Sequence, residues 1–114
     1  MTDIRSIKQR YIELTKNEEI GGANLLNKLS DEIKDMLYDV PTKYIVPLFV
    51  LHKMLKDIAL YQDDREVTVN ECRELYTKLH KPILKLLSDL EADEELSILL
   101  EDCAELISTY YIRR

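Results

Sequence analysis

The run from Thr68 to Leu90 constrains this chain most. Apolar residues recur there at Val69, Cys72, Tyr76, Leu79, Ile83, Leu86 and Leu90, a three-then-four alternation that keeps one stripe of a long amphipathic helix turned toward partner helices. Thr68-Val69-Asn70-Glu71 opens it as a capping box, with the Thr68 hydroxyl and the Glu71 carboxylate each expected to satisfy a free backbone donor. Pro82 lies inside the pattern, where it removes one hydrogen bond and presses its ring on the preceding turn. The stripe keeps phase across it, which predicts a kinked helix rather than two helices.

The same alternation organises the rest. Ile4, Ile7, Tyr11 and Leu14 predict a short first helix, with Thr2 as candidate N-cap and Asp3 in the first turn, where negative charge suits the helix dipole. The only two glycines, Gly21 and Gly22, lie side by side and predict a reversal. They lack the strand, third glycine and Lys-Ser/Thr sequel of a phosphate-cradling loop. Leu26, Leu29, Ile33 and Leu37 mark a second helix from Ala23 to about Tyr38, ended by Val40-Pro41. A third starts near Ile45, with Pro47 tolerated in its first turn and Leu48, Leu51, Leu55 and Ile58 on its main face. Phe49, Val50, Met54 and Leu60 widen its apolar arc and predict a central place.

Gln62 to Glu66 is polar, with a loop tip at Asp63-Asp64. The final helix starts near Asp93 and carries Leu96, Leu99, Cys103, Leu106 and Tyr110, with Arg113 and Arg114 suited to its C-terminal end. No strand signal appears beyond Val67 to Val69. The expectation is an all-α compact bundle, one domain over residues 1–114, of four main helices plus a short N-terminal helix. Its last two helices form an antiparallel hairpin turning near Glu91 to Asp93.

Composition bounds the function. With 46% hydrophobic and 33% charged residues the chain reads as a soluble globular protein. A net charge of -6 and a pI near 4.9 disfavour nonspecific binding to nucleic acid. Leu48 to Leu51 is far short of the ~20 apolar residues that cross a bilayer, and Met1 to Arg5 lacks the continuous apolar segment of a secretion signal. The expected location is cytoplasmic, without membrane attachment. Cys72 and Cys103 both fall on apolar stripes and read as core thiols. In the hairpin they are offset by roughly 12 Å along the axis, beyond disulfide reach. Without paired cysteine spacing, and with two histidines, neither zinc nor a cofactor is expected. His52, alone in an apolar helix, reads as a core or boundary residue.

Arg73 and His80 are the candidate catalytic residues. Seven helical residues bring both side chains to one face, roughly 10.5 Å apart along the axis. Their spacing resembles the loose Arg-x(4 to 6)-His motif of the HEPN ribonucleases, small helical bundles whose active site forms across a dimer interface. The resemblance implies acid-base chemistry by His80 on an RNA 2'-hydroxyl and phosphate contact by Arg73, without a metal. It departs from that family in Glu74, which follows the arginine where Asn, Asp or His is usual, and in spacing, where four is usual. Read structurally, the two residues flank a helix seam with their stems packed on it.

Carboxylates supply the other chemistry. Glu71-x-x-Glu74 followed by Glu91-x-x-Glu94 is similar to the magnesium-binding pairs of the all-helical MazG-type nucleotide pyrophosphohydrolases, whose second pair is usually Glu-x-x-Asp. With Val69 and Cys72 facing inward, Glu71 and Glu74 are expected on the solvated face, Glu74 pairing with Lys78. The Glu-x-x-His pairs of di-iron bundles are absent, since Phe49 precedes His52 and Thr77 precedes His80 at that spacing. Lys78, Lys81 and Lys85 form a basic stripe, and Asp89, Glu91, Asp93, Glu94 and Glu95 an acidic knot. The knot reads as solvated surface, as a dock for a basic partner, or as a nucleic-acid mimic that blocks a DNA- or RNA-binding protein.

The function expected from these residues is protein-protein interaction, self-association first, with catalysis confined to the ribonuclease alternative. The helices at Leu48 to Leu60 and Leu96 to Tyr111 carry more apolar positions than one seam requires. Leu99, Leu100, Ile107, Tyr110 and Tyr111, with Leu106, make a wide stripe that predicts a homodimer.

Overall fold

A computed structural model describes residues 3–16, 23–63 and 68–112. They form α1 (Ile4–Thr15), α2 (Ala23–Met36), a 3-10 turn (Thr42–Tyr44), α3 (Ile45–Asp63), α4 (Val69–Glu91), α5 (Leu96–Ile107) and a closing π-helical turn (Ser108–Ile112). The chain is all-α, with no strand among the described residues. None of these helices is long and apolar enough to cross a membrane.

Local chemistry sets the boundaries. Asp3 caps α1, its carboxylate accepting the Ser6 N–H at 2.8 Å, so the acidic residue read as first-turn is itself the N-cap; Thr2 lies outside the described residues. The Gly21-Gly22 reversal and Asp64 lie outside them too. α2 ends at Met36, two residues before the expected Tyr38, where the N–H groups of Leu37 and Asp39 turn back onto Lys34 and Met36. Thr68 caps α4 by accepting the Glu71 N–H at 3.2 Å. The Glu71 carboxylate accepts the hydroxyls of Tyr61 and Thr68. α4 runs unbroken through Pro82, whose ring is buried.

α4 ends in a Schellman motif. Ala92 is the C-cap, Asp93 takes φ 59°, and the N–H groups of Asp93 and Glu94 reach the carbonyls of Leu90 and Asp89, the paired bonds of that motif. This turn delays α5 to Leu96, three residues after the expected start.

One core joins all five helices. Ile7 and Tyr11 of α1, Leu26 and Ile33 of α2, Leu48 through Ile58 on the inner face of α3, Leu79 through Leu90 of α4, and Leu99 and Leu106 of α5 are buried together. α2 packs along α3, α1 crosses α2 and α4, and α5 lies between α4 and α3. Contacts along the last two helices step in opposite chain directions. Lys85 of α4 meets Asp102, whereas the earlier Lys78 and Leu79 share a wall with the later Thr109 and Tyr110.

Candidate functional site

The His80 ring is stacked on Tyr76 at 4.4 Å between centroids, one helical turn earlier, and against Tyr11 of α1 at 5.7 Å. The Tyr11 hydroxyl is 3.3 Å from His80 Nδ1. Burial lowers the His80 pKa from its ordinary 6.5, since an apolar setting disfavours the imidazolium. Burial, then the neighbouring Tyr76, raises that of Tyr11. Arg73 lies exposed on the outer surface of α4. The structure thus ties His80 to the seam between α1 and α4 and leaves Arg73 at solvent.

His52 occupies the boundary between α2 and α3. The buried Ser30 hydroxyl donates to the His52 carbonyl at 2.8 Å, and its single proton is thereby used. His52 Nδ1, 2.7 Å from Ser30 Oγ and 3.0 Å from the Ser30 carbonyl, therefore carries the ring proton and donates it. The pair is a structural clasp, with the hydroxyl already committed to backbone.

The four glutamates with metal-pair spacing are divided along α4. Glu71 and Glu74 line a cleft with Tyr61, Lys78 and Tyr110, and no ion pair joins Glu74 to Lys78 among the described residues. Glu91 meets Arg5 and Lys8, roughly 30 Å further along the helix from Glu71 at 1.5 Å per residue. Among the described residues no three His, Cys, Asp or Glu side chains gather as a metal site. The acidic knot is split in the same way. Asp89 faces Lys85 and Asp102, Glu91 faces α1, and Asp93 takes Lys43 at 2.6 Å and the Tyr44 hydroxyl.

Asp102 was not singled out in the sequence, yet among the described residues it is the carboxyl group pushed furthest up from its ordinary value. It is 2% exposed and contacts Lys85 and Asp89. Burial, and then the Asp89 carboxylate, raise its pKa to about 6, while the same contact lowers that of Asp89. Its Oδ2 is buried without a hydrogen-bond partner, which adds to the cost of carrying charge there. A signal for it was present. Asp102 lies three residues after Leu99 and four before Leu106, on the buried stripe, and a hairpin turning at Asp93 sets it opposite Lys85. Beside it, the Cys103 thiol is pushed to about 11 by burial and then by Asp102. Cys72 is half-buried, 3.8 Å from Gln62 Nε2, and both cysteines are free thiols.

The remaining feature is a surface. Tyr44 meets Asp93 at one end of α3 and α5, and Tyr61 shares a cleft with Tyr110 at the other. Both pairs are 49 residues apart in sequence, so α3 and α5 run parallel and in step. Since Asp102 turns to α4, the opposite flank of α5 borders α3. Leu96, Leu100 and Ile107 fall on that flank within an arc of roughly 40°, and Val46 and Val50 fall on the matching flank of α3. Val46, Phe49, Leu96 and Leu100 are each between 43% and 53% exposed. Of the residues expected to mediate self-association, Leu100 is exposed, Ile107 is half-buried, and Leu99 and Tyr110 are packed in the core. The Tyr111 side chain lies outside the described residues.

No protein-family model, curated protein or solved structure matches the chain.

Proposed function

We propose that this protein is a noncatalytic helical interaction module that pairs with a second copy of itself through the groove between α3 and α5. The observation that carries this reading is the set of half-exposed Val46, Phe49, Leu96 and Leu100 along two parallel neighbouring helices. Apolar residues scattered singly need no explanation, but a contiguous set on one face is the mark of a buried interface. Covering such a half-exposed side chain is worth ~1 kcal/mol, and a two-fold pair covers each of the four twice.

The ribonuclease alternative draws less support, because His80 is held between two tyrosine rings and Arg73 points to solvent at the outer surface of α4. The nucleic-acid-mimic alternative also draws less, because Asp89, Glu91 and Asp93 are each neutralised by a lysine or arginine of the same chain. Light scattering on a size-exclusion column tests the proposal. The wild type is expected to elute with a mass that grows with loading, and the variant Phe49→Glu/Leu100→Glu to remain monomeric. A monomeric wild type, or a variant that associates equally well, would overturn it.

A further inference from the structure

A second feature lies apart from the groove, where the C-terminal half of α3, the first turns of α4 and the closing π-helical turn meet. They form a cleft of about 160 Å³, the space of about five liquid waters at ~30 Å³ each. That is small against the ~300–1,000 Å³ of sites for drug-sized ligands and suits one small metabolite. The π-helical turn, a rare form often found at functional sites, carries Thr109 and Tyr110 into one wall. Leu75 and Leu79 add apolar surface from α4.

Three charges line this cleft without a counterion among the described residues. Glu71 stands where a capping-box acid ordinarily reaches back to the N-cap N–H. Its oxygens instead accept the Tyr61 hydroxyl at 2.9 Å and the Thr68 hydroxyl at 3.3 Å. Two neutral donors thus fix the carboxylate beside the cleft, and each oxygen keeps a lone pair for a further donor. Glu74 and Lys78 are exposed and one helical turn apart, at the spacing of a favourable helix pair. Neither makes an ion pair with the other or with any described residue.

These charges select the ligand. One that is only cationic meets the Lys78 ammonium, and one that is only anionic meets two carboxylates. A zwitterion answers both, with its ammonium at Glu71 and Glu74 and its carboxylate at Lys78. An α-amino acid holds both groups on one carbon, close enough to lie between side chains whose Cβ atoms are ~6 Å apart. Leu75, Leu79 and the Tyr110 ring give its side chain apolar contact. We propose that the cleft binds a free α-amino acid with a small apolar side chain, independently of self-association.

The test follows amide NMR spectra of the full chain on addition of L-leucine, of isopentylamine, which is leucine without its carboxylate, and of isocaproate, which is leucine without its ammonium. Leucine is expected to give saturable shifts gathered on Tyr61, Glu71 to Leu79, Thr109 and Tyr110. Each half-ligand is expected to bind at least ~10-fold more weakly, the loss of one charge-assisted contact. Lys78→Met keeps the stem and removes the ammonium, so it should weaken leucine ~10-fold and leave isopentylamine no weaker. Glu74→Gln should weaken both. The two positions are exposed, and unchanged spectra elsewhere confirm that each variant folds. No saturable shift at the cleft with ~20 mM leucine overturns the site. Isopentylamine or isocaproate binding as tightly as leucine overturns the zwitterion assignment, as does Lys78→Met binding leucine like the wild type.

Discussion

Asp102 faces Asp89 across the seam between α4 and α5, with Lys85 against both carboxyl groups. Burial, and then Asp89, push the Asp102 pKa up to about 6, while the contact with Asp102, and Lys85 beside it, hold that of Asp89 down. The charge on Lys85 is held correspondingly firmly, its pKa raised to about 12 chiefly by Asp102.

A stability profile follows from the sign of that shift. Asp102 has its pKa raised from 3.8 to about 6 in the fold, so the native state binds this proton more tightly than the unfolded chain does. The contribution is fully present below about pH 4 and is lost as pH rises through about 6, amounting to about 3 kcal/mol. Asp102→Asn keeps a donor for Asp89 without the ionisation. Urea titrations are expected to find this variant more stable than the wild type at pH 8, with the difference vanishing near pH 4.

His80 titrates with the opposite slope. Its lowered pKa means that the unfolded chain takes up the proton first, so stability present above pH 6.5 is lost as pH falls below it. NMR titration of the imidazole is expected to give a pKa below 6.5. In the Asp102→Asn background, stability should rise as pH approaches 6.5 from below.

His80→Ala separates a structural histidine from a catalytic one. Loss of the stacking with Tyr11 and Tyr76 is expected to cost about 1–2 kcal/mol in unfolding free energy. Single-stranded RNA is expected to survive incubation with wild type and variant alike; cleavage by the wild type that is abolished in a folded variant would restore the ribonuclease reading.

The hairpin turn makes a third demand on sequence. Asp93 adopts φ 59°, which a side chain with a Cβ tolerates poorly unless it is Asn or Asp, and its carboxylate also holds Lys43 and Tyr44. Asp93→Asn should melt close to the wild type, and Asp93→Gly somewhat lower, since it keeps the backbone conformation and loses the side-chain contacts. Asp93→Ala, which loses both, should melt lowest, roughly 5 °C down in calorimetry.

Much of this architecture was legible because periodicity and caps are local. The stripe of α4 from Leu79 to Leu90, the cap at Thr68 and the start of α3 at Ile45 each depend on residues within a turn or two of one another, whereas Val69, expected to open that stripe facing inward, is exposed in the first turn of α4. What stayed hidden depends on neighbours distant in sequence. The late start of α5 follows from the Asp93 turn, whose carboxylate is held by Tyr44 from 49 residues away. Tyr11 could not be assigned to His80 without knowing that α1 crosses α4. The breadth of the apolar arc on α3 was visible, but which side of it remained uncovered depended on where α2 and α5 settled. The same holds for Leu99 and Tyr110, which entered the core, and Leu100, which did not.

The central claim, that the groove between α3 and α5 is a self-association surface, is tested most directly by amide NMR spectra recorded over a dilution series from millimolar to micromolar protein. The account predicts concentration-dependent shifts confined to the outward residues of α3 and α5, with Val46, Phe49, Leu96 and Leu100 moving most. Spectra independent of concentration, or shifts gathered on α1 and α2 instead, would contradict it.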